Sequence, residues 1–342
     1  MFVAPLNLSR LSADDTDDTT DASAIRFRQD DWHTEETVKN SSYIPVRGSQ
    51  IRYYRRVPLY SETATHVFQL YKPAGMEISE IRIDQGMHPR LFIQQADRVD
   101  AIREVHKGFN QDIARSIETG DVSSVKSNLC NLVAETLAEP RAGTLHSLPE
   151  TMGILVSGYS KQPGILRTFA TISNKDYTTV IHSVNVMALT LSFCFYSGLS
   201  LPETKRLGLS ALLHDVGKAE IPTEILSAPR KLTSEEFEVM KSHPSIGERL
   251  IRQISRLGED VALGALEHHE KLDGSGYPKG LQKISFHGQL IGIVDCYEAL
   301  TNEDRPYRRA MDPLETLKLI KSDVEAGKFD RALFEKFCYS LI

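Results

Sequence analysis

A chain of 342 residues, 41% hydrophobic and 25% charged, has enough apolar matter for two domains with separate cores. A net charge of −6 excludes a nucleic-acid binder held by a broad basic surface, although a small phosphate-bearing ligand needs only a few placed cations. The four cysteines, Cys130, Cys194, Cys296 and Cys338, form no CxxC pair, which fits reduced thiols in a cytoplasmic protein.

Residues 1–40 carry Asp14, Asp15, Asp17, Asp18 and Asp21 among Ser and Thr and read as a mobile acidic leader, because such a composition cannot offset its ordering entropy by burial. The N-terminus has no basic n-region and too short an apolar run for a signal peptide. Residues 41–162 read as a regulatory or interaction module of a small sheet plus helices. Short β-branched and aromatic runs predict strands at Ile51–Tyr54, His66–Tyr71 and Arg90–Gln94, with one short helix near Glu77–Gln85. Arg52, Arg55 and Arg56 are expected on a solvated sheet edge. Val125, Leu129, Leu132, Val133 and Leu137 recur at helical spacing; packing is the preferred reading of that stripe, a homodimer seam the alternative.

Residues 163–342 read as an all-α domain, making the chain α+β overall. Helices are predicted over Asp176–Phe195, Pro202–Asp215, Ser234–Lys241, Ser245–Arg256, Asp260–Glu270, Gln289–Leu300, Pro313–Ser322 and Asp330–Leu341. The most apolar stretch, Val184–Leu201, is interrupted by Asn185, Ser192, Ser197 and Gly198 and is expected to be a core helix, not a membrane span.

Within this half, nitrogen and oxygen donors stand at helix ends and in apolar runs: His182, His214, Asp215, His243, His268, His269 and Asp295. Any one histidine is more often hydrogen-bonded core or surface. Asp215 and Asp295, however, follow apolar runs where an unpaired carboxylate is costly to bury, and a metal ion compensates that charge. Imidazole suits Fe, Mn, Ni or Zn. The stretch from His268 to Pro278 adds Gly274 and Gly276, which allow close backbone approach, and Pro278, which stiffens its exit. There is no Walker loop and no GxSxG elbow, so NTP-driven and serine-hydrolase chemistry have no support.

The order His182, His214-Asp215, Asp295 resembles the H…HD…D pattern of the HD superfamily of metal-dependent phosphohydrolases. Val216-Gly217-Lys218, the His243–Gly247 segment and the His268–Pro278 stretch, with Gly276-Tyr277-Pro278 intact, resemble its HD-GYP subfamily of bacterial cyclic di-GMP phosphodiesterases. The resemblance runs from about Asp176 through Tyr307. It implies two transition-metal ions, iron most often with manganese or nickel as alternatives. One would be held by His182, His214, Asp215 and Asp295, and the other by His243, His268 and His269 with Asp215 bridging. It further implies hydrolysis of cyclic di-GMP by metal-activated water, with Lys218 on a nonbridging phosphate oxygen and Arg305 and Arg308 as substrate-phosphate cations. Tyr277 would shape the substrate pocket or form part of a loop contacting other signalling proteins.

The family's occasional third-metal glutamate corresponds to Thr178, so a two-metal site and pGpG as main product are expected, with slower onward cleavage to GMP. The loop from Leu300 to Arg305 looks one residue longer than the usual family form, which bears on Arg305 and Arg308. Gln282-Lys283 stands where glycine is common. The rival readings are a metal-containing cyclic di-GMP receptor with little turnover and a phosphodiesterase for another cyclic dinucleotide.

Overall fold

A computed structural model describes residues 42–138, 140, 144–162, 164–171, 179–254, 257–302 and 310–342. The acidic leader and positions 176, 178, 305 and 308 lie outside them. The chain divides into two compact units, one ending at Arg98 and the other spanning Val99–Ile342.

The first unit holds an antiparallel sheet of β1 (Tyr43–Pro45), β2 (Leu59–Glu62), β3 (Phe68–Lys72) and β4 (Leu91–Gln94), in the order β1-β4-β2-β3, with α1 (Glu80–Asp84) between β3 and β4. Tyr60 pairs with Phe92 across β2 and β4. Tyr43 stacks on Phe68 at 4.1 Å, and Tyr60 and Phe92 meet them edge-on, each at 5.0 Å. Such pairs contribute about 0.5–1.5 kcal/mol beyond their buried area.

One expected strand is corrected. Ile51–Tyr54 falls mainly in a 3-10 helix, Gly48–Tyr53. Gln50 Oε1 accepts from the Arg47 amide at 3.0 Å and closes the first turn. Ile51 and Tyr54 are both buried, and residues three apart share a face at three residues per turn, whereas a strand would separate them.

The second unit is helical: α2 (Arg98–Thr119), whose first residue precedes it, α3 (Val122–Ala138), α4 (Leu148–Tyr159), α5 (Gly164–Thr171), α6 (Thr179–Tyr196), α7 (Leu201–Leu213), α8 (Thr223–Leu226), α9 (Ser234–Met240), α10 (His243–Arg252), α11 (Glu259–Glu267), α12 (Phe286–Thr301), α13 (Pro313–Glu325) and α14 (Arg331–Ser340). The centre is α6, which packs against α3, α5, α7, α12 and α14. Among the described residues it is also the one helix long and apolar enough to cross a membrane, with 78% of that span buried inside the protein. An all-round apolar helix is what a central position demands.

The expected boundary near residue 162 separates helices that pack together. The apolar stripe of α3 (Val125, Leu129, Leu132 and Val133) is buried, and α3 lies against α5 and α6 while α4 lies against α7. Thr151 Oγ1 on α4 donates to Asn110 Oδ1 on α2 at 2.7 Å. The compact helical unit therefore begins at Val99, not at residue 163.

Candidate metal centre

Five helices converge on one buried cluster. His182 projects from α6, His214 and Asp215 directly follow α7, and His243 opens α10. His268 and His269 follow α11, and Asp295 sits in α12. Helix ends are set by local chemistry. α7 starts with a capping box between Ser200 and Glu203, and α9, which delivers the chain to His243, starts with one between Thr233 and Glu236. After Asp215 the chain makes a 3-10 turn, Val216–Glu220, pressed onto the start of α10. A Cβ on Gly217 would lie 2.0 Å from the His243 carbonyl oxygen and 2.6 Å from the Gly247 nitrogen, so only glycine lets the two segments meet.

Asp215 lies between two groups of histidines. Its Oδ2 is 3.8 Å from His182 Nε2 and 3.4 Å from His214 Nε2, while its Oδ1 is 3.3 Å from His243 Nε2 and 3.9 Å from His268 Nε2. Asp295 Oδ1 is 2.9 Å from His182 Nε2 and 4.0 Å from His214 Nε2. Donor atoms lie within 4.8 Å of one another in each of two sets, His182–His214–Asp215 and His243–His268–His269. The structure thus brings together all seven residues of the expected ligand set.

Hydrogen bonding fixes the imidazoles. His214, His243 and His268 each present Nδ1 to the carbonyl oxygen three residues earlier, that of Ala211 (2.7 Å), Met240 (2.8 Å) and Ala265 (2.8 Å). A carbonyl only accepts, so Nδ1 carries the proton and Nε2 offers a lone pair to the cluster. Burial and the neighbouring histidines hold His268 and His269 well below the ordinary imidazole value, and burial lowers His243 as well. These rings are neutral, as metal ligands must be.

The donors fit a cation. His243 Nε2 and His268 Nε2 stand 3.4 Å apart, lone pair toward lone pair. Asp215 Oδ1, buried beside them, has no hydrogen-bond partner among the described residues. Burial alone would push the Asp215 and Asp295 carboxyls up, but Lys218 and His214 hold the first, and His182 the second, well below the usual carboxylate range. Burial likewise opposes a proton on His182, yet Glu298 and Asp295 outweigh it and raise its pKa to about 8. Two buried carboxylates among imidazoles are a divalent-cation site by chemistry.

Lys218 is 5% exposed, with Nζ donating to Asp215 Oδ2 at 2.5 Å. The ordinary alternative, a solvent-exposed lysine at a helix end, does not hold. Tyr277 is half-buried, its ring stacked on His269 at 4.6 Å and 26° and edge-on to Phe237 at 6.3 Å. Burial, together with Asp295 and Asp215, pushes its hydroxyl up, so it stays protonated. The turn bearing it is closed by Glu270, whose carboxylate accepts from the amides of Lys279 (2.7 Å) and Leu281 (2.9 Å). A Cβ on Gly276 would approach Glu270 Cα to 2.4 Å. Leu272 donates its amide to the Lys328 carbonyl (3.1 Å), tying the turn to the α13–α14 connection.

Sequence reasoning missed Glu298. It is 2% exposed and one helical turn beyond Asp295, with Oε2 against His182 Nδ1 and Oε1 accepting from Asn185 Nδ2 (2.8 Å) and Asn302 Nδ2 (2.7 Å). The Asp-x-x-Glu spacing on an apolar helix was its one available signal.

Residues 167–333 match the family model for the HD domain. The chain is 36% identical over 182 residues to the cyclic di-GMP phosphodiesterase PA4108 of Pseudomonas aeruginosa, covering 52% of this chain and 42% of that protein. It is 35% identical over 167 residues to the 3′3′-cGAMP-specific phosphodiesterase 1 of Vibrio cholerae, covering 48% and 38%. The matched part thus spans about two fifths of each curated relative. In fold, the chain is similar to Bd1817, an HDG"Y"P protein from Bdellovibrio bacteriovorus, with a TM-score of 0.59 and 19% identity, over 86% of this chain and 98% of that one.

Proposed function

Residues 167–333 belong to the HD domain family, which implies divalent-metal binding, and from that premise we propose that the chain is a two-metal phosphodiesterase opening cyclic di-GMP to pGpG. The observation that carries the reading is Asp215, one oxygen turned to His182 and His214 and the other to His243 and His268. That is the disposition of a carboxylate shared by two cations. His182, His214, Asp215 and Asp295 would hold one ion, and His243, His268, His269 and Asp215 the other. Iron is the preferred metal, with manganese or nickel as alternatives, because the set is rich in imidazole. Bound there, such ions supply water ionised near neutral pH and polarise phosphoryl oxygens.

The chain's own groups do the rest. Lys218, anchored on Asp215, brings a buried ammonium to meet charge growing on the phosphate. Tyr277 packs on His269 and forms a wall of the substrate site. Arg305 and Arg308 would take the substrate's phosphates. The relatives named above support a cyclic dinucleotide as substrate, and the N-terminal unit would regulate the activity.

The test is product analysis on protein purified without oxygen, with metal quantified in the same sample. Cyclic di-GMP should yield pGpG, and Asp215→Ala should lose both bound metal and turnover. Tight binding with intact cyclic di-GMP would make the protein a receptor. Faster cleavage of 3′3′-cGAMP in a parallel reaction would move the substrate assignment.

A further inference from the structure

We propose that Glu298 is a positioning residue that fixes His182 for one metal position only, so that the two positions can be separated by a substitution that touches neither ligand set. The inference rests on the two-metal reading above.

The four imidazoles whose Nδ1 partners are given above are not held alike. His214, His243 and His268 take theirs from backbone carbonyls, those of Ala211, Met240 and Ala265. No side-chain replacement deletes a carbonyl, and helical geometry keeps each one in place. His182 alone among these relies on another side chain, Glu298, which reaches it from a helix 116 residues further along the chain. An ionised carboxylate only accepts, so Glu298 keeps a proton on Nδ1 and leaves Nε2, which faces Asp295 and Asp215, as the atom a metal ion would take.

Glu298 is itself fixed. Its second oxygen accepts from Asn185, one turn along α6 from His182, and from Asn302, one turn along α12. Two amide donors on that oxygen favour the ionised form and define which oxygen faces His182. Asn302 is also the last described residue before the segment bearing Arg305 and Arg308. The same carboxylate thereby anchors a metal ligand and the root of that segment.

An amide at position 298 would meet two amide donors with its own NH₂ or turn that NH₂ toward His182 Nδ1. The second arrangement moves the imidazole proton to Nε2, where it excludes a metal. Replacement of such a hydrogen-bond partner typically weakens metal affinity about 10–100-fold.

Metal titration of the full chain, followed by calorimetry and by elemental analysis after buffer exchange, tests this. The unsubstituted protein should bind two ions per chain. Glu298→Gln should retain one ion at unchanged affinity and bind the other about 10–100-fold more weakly. The double substitution Glu298→Gln with Asn185→Asp restores a buried carboxylate that accepts from the new amide, freeing the Gln oxygen for His182 Nδ1, and should recover the second ion. A general structural role would instead lower both affinities together and would not be rescued; so would a failure to fold, which circular dichroism would show, and either result overturns the assignment. Unchanged affinity at both positions also overturns it. An unsubstituted protein that bound fewer than two ions would instead remove the two-metal reading on which it stands.

Discussion

His106 on α2 is 3% exposed, with Nδ1 against Ser147 Oγ, and burial depresses its pKa from 6.5 to about 4. Its folded value lies below its unfolded one, so between those pH values the unfolded chain binds the extra proton. Stability tied to this group is therefore complete above about pH 6.5 and falls as the pH drops toward 4. At pH 5 the loss is about 2 kcal/mol. Urea unfolding at pH 7 and pH 5 should show His106→Gln losing less stability on acidification than the parent; an identical loss would assign the pH dependence to other groups. At this same scale the sequence was most readable. His182, His214, Asp215, His243, His268, His269 and Asp295 announce themselves because ligand chemistry resides in residue type. Glu298 does not, because a glutamate on a helix is ordinary until the fold carries it to a histidine 116 residues away. Lys218 was readable by its place after His214-Asp215, but its burial was not, since a lysine's exposure depends on which carboxylate the fold sets beside it.

Among the elements, the turn from Lys271 to Leu281 has its far end tied back by the Glu270 carboxylate. Glu270→Ala would leave the Lys279 and Leu281 amides without their acceptor, at a cost of about 1–3 kcal/mol for each that stays buried. Hydrogen exchange should then quicken at these two amides and in Tyr277, while α6 and α12 keep their protection; slowing or no change would show that the turn is held by other contacts. Periodicity located the later helices well. α9, predicted over Ser234–Lys241, ends at Met240, and α12 extends a few residues beyond its predicted start at Gln289. It failed at Ile51–Tyr54, where aromatic and β-branched residues suggested a strand. Their burial pattern at a spacing of three belongs to a 3-10 helix, and only the arrangement of neighbours decides between those periods.

At the level of the whole molecule, the helical fold was legible from the density of apolar periodic segments, but the grouping of its first helices was not. The run of helical segments predicted from residue 163 onward invited a boundary there, which the packing of α3 on α6 and α4 on α7 crosses. Sequence patterns mark where elements end and say less about which surfaces meet.

That packing decides which piece of the gene product is portable. A fragment cut at residue 163 would carry every member of the metal cluster, yet it would bare the sides of α6 and α7 on which α3 and α4 rest, including the α7 surface at Gly208 that Met152 covers. An exposed apolar patch of that kind drives self-association. The fragment Val99–Ile342 should express as a soluble, cooperatively melting, metal-loaded protein, whereas residues 163–342 should aggregate or melt without a sharp transition. Equal behaviour of the two in light scattering and calorimetry would mean that α2–α4 are ornaments on the metal unit and not part of its wall.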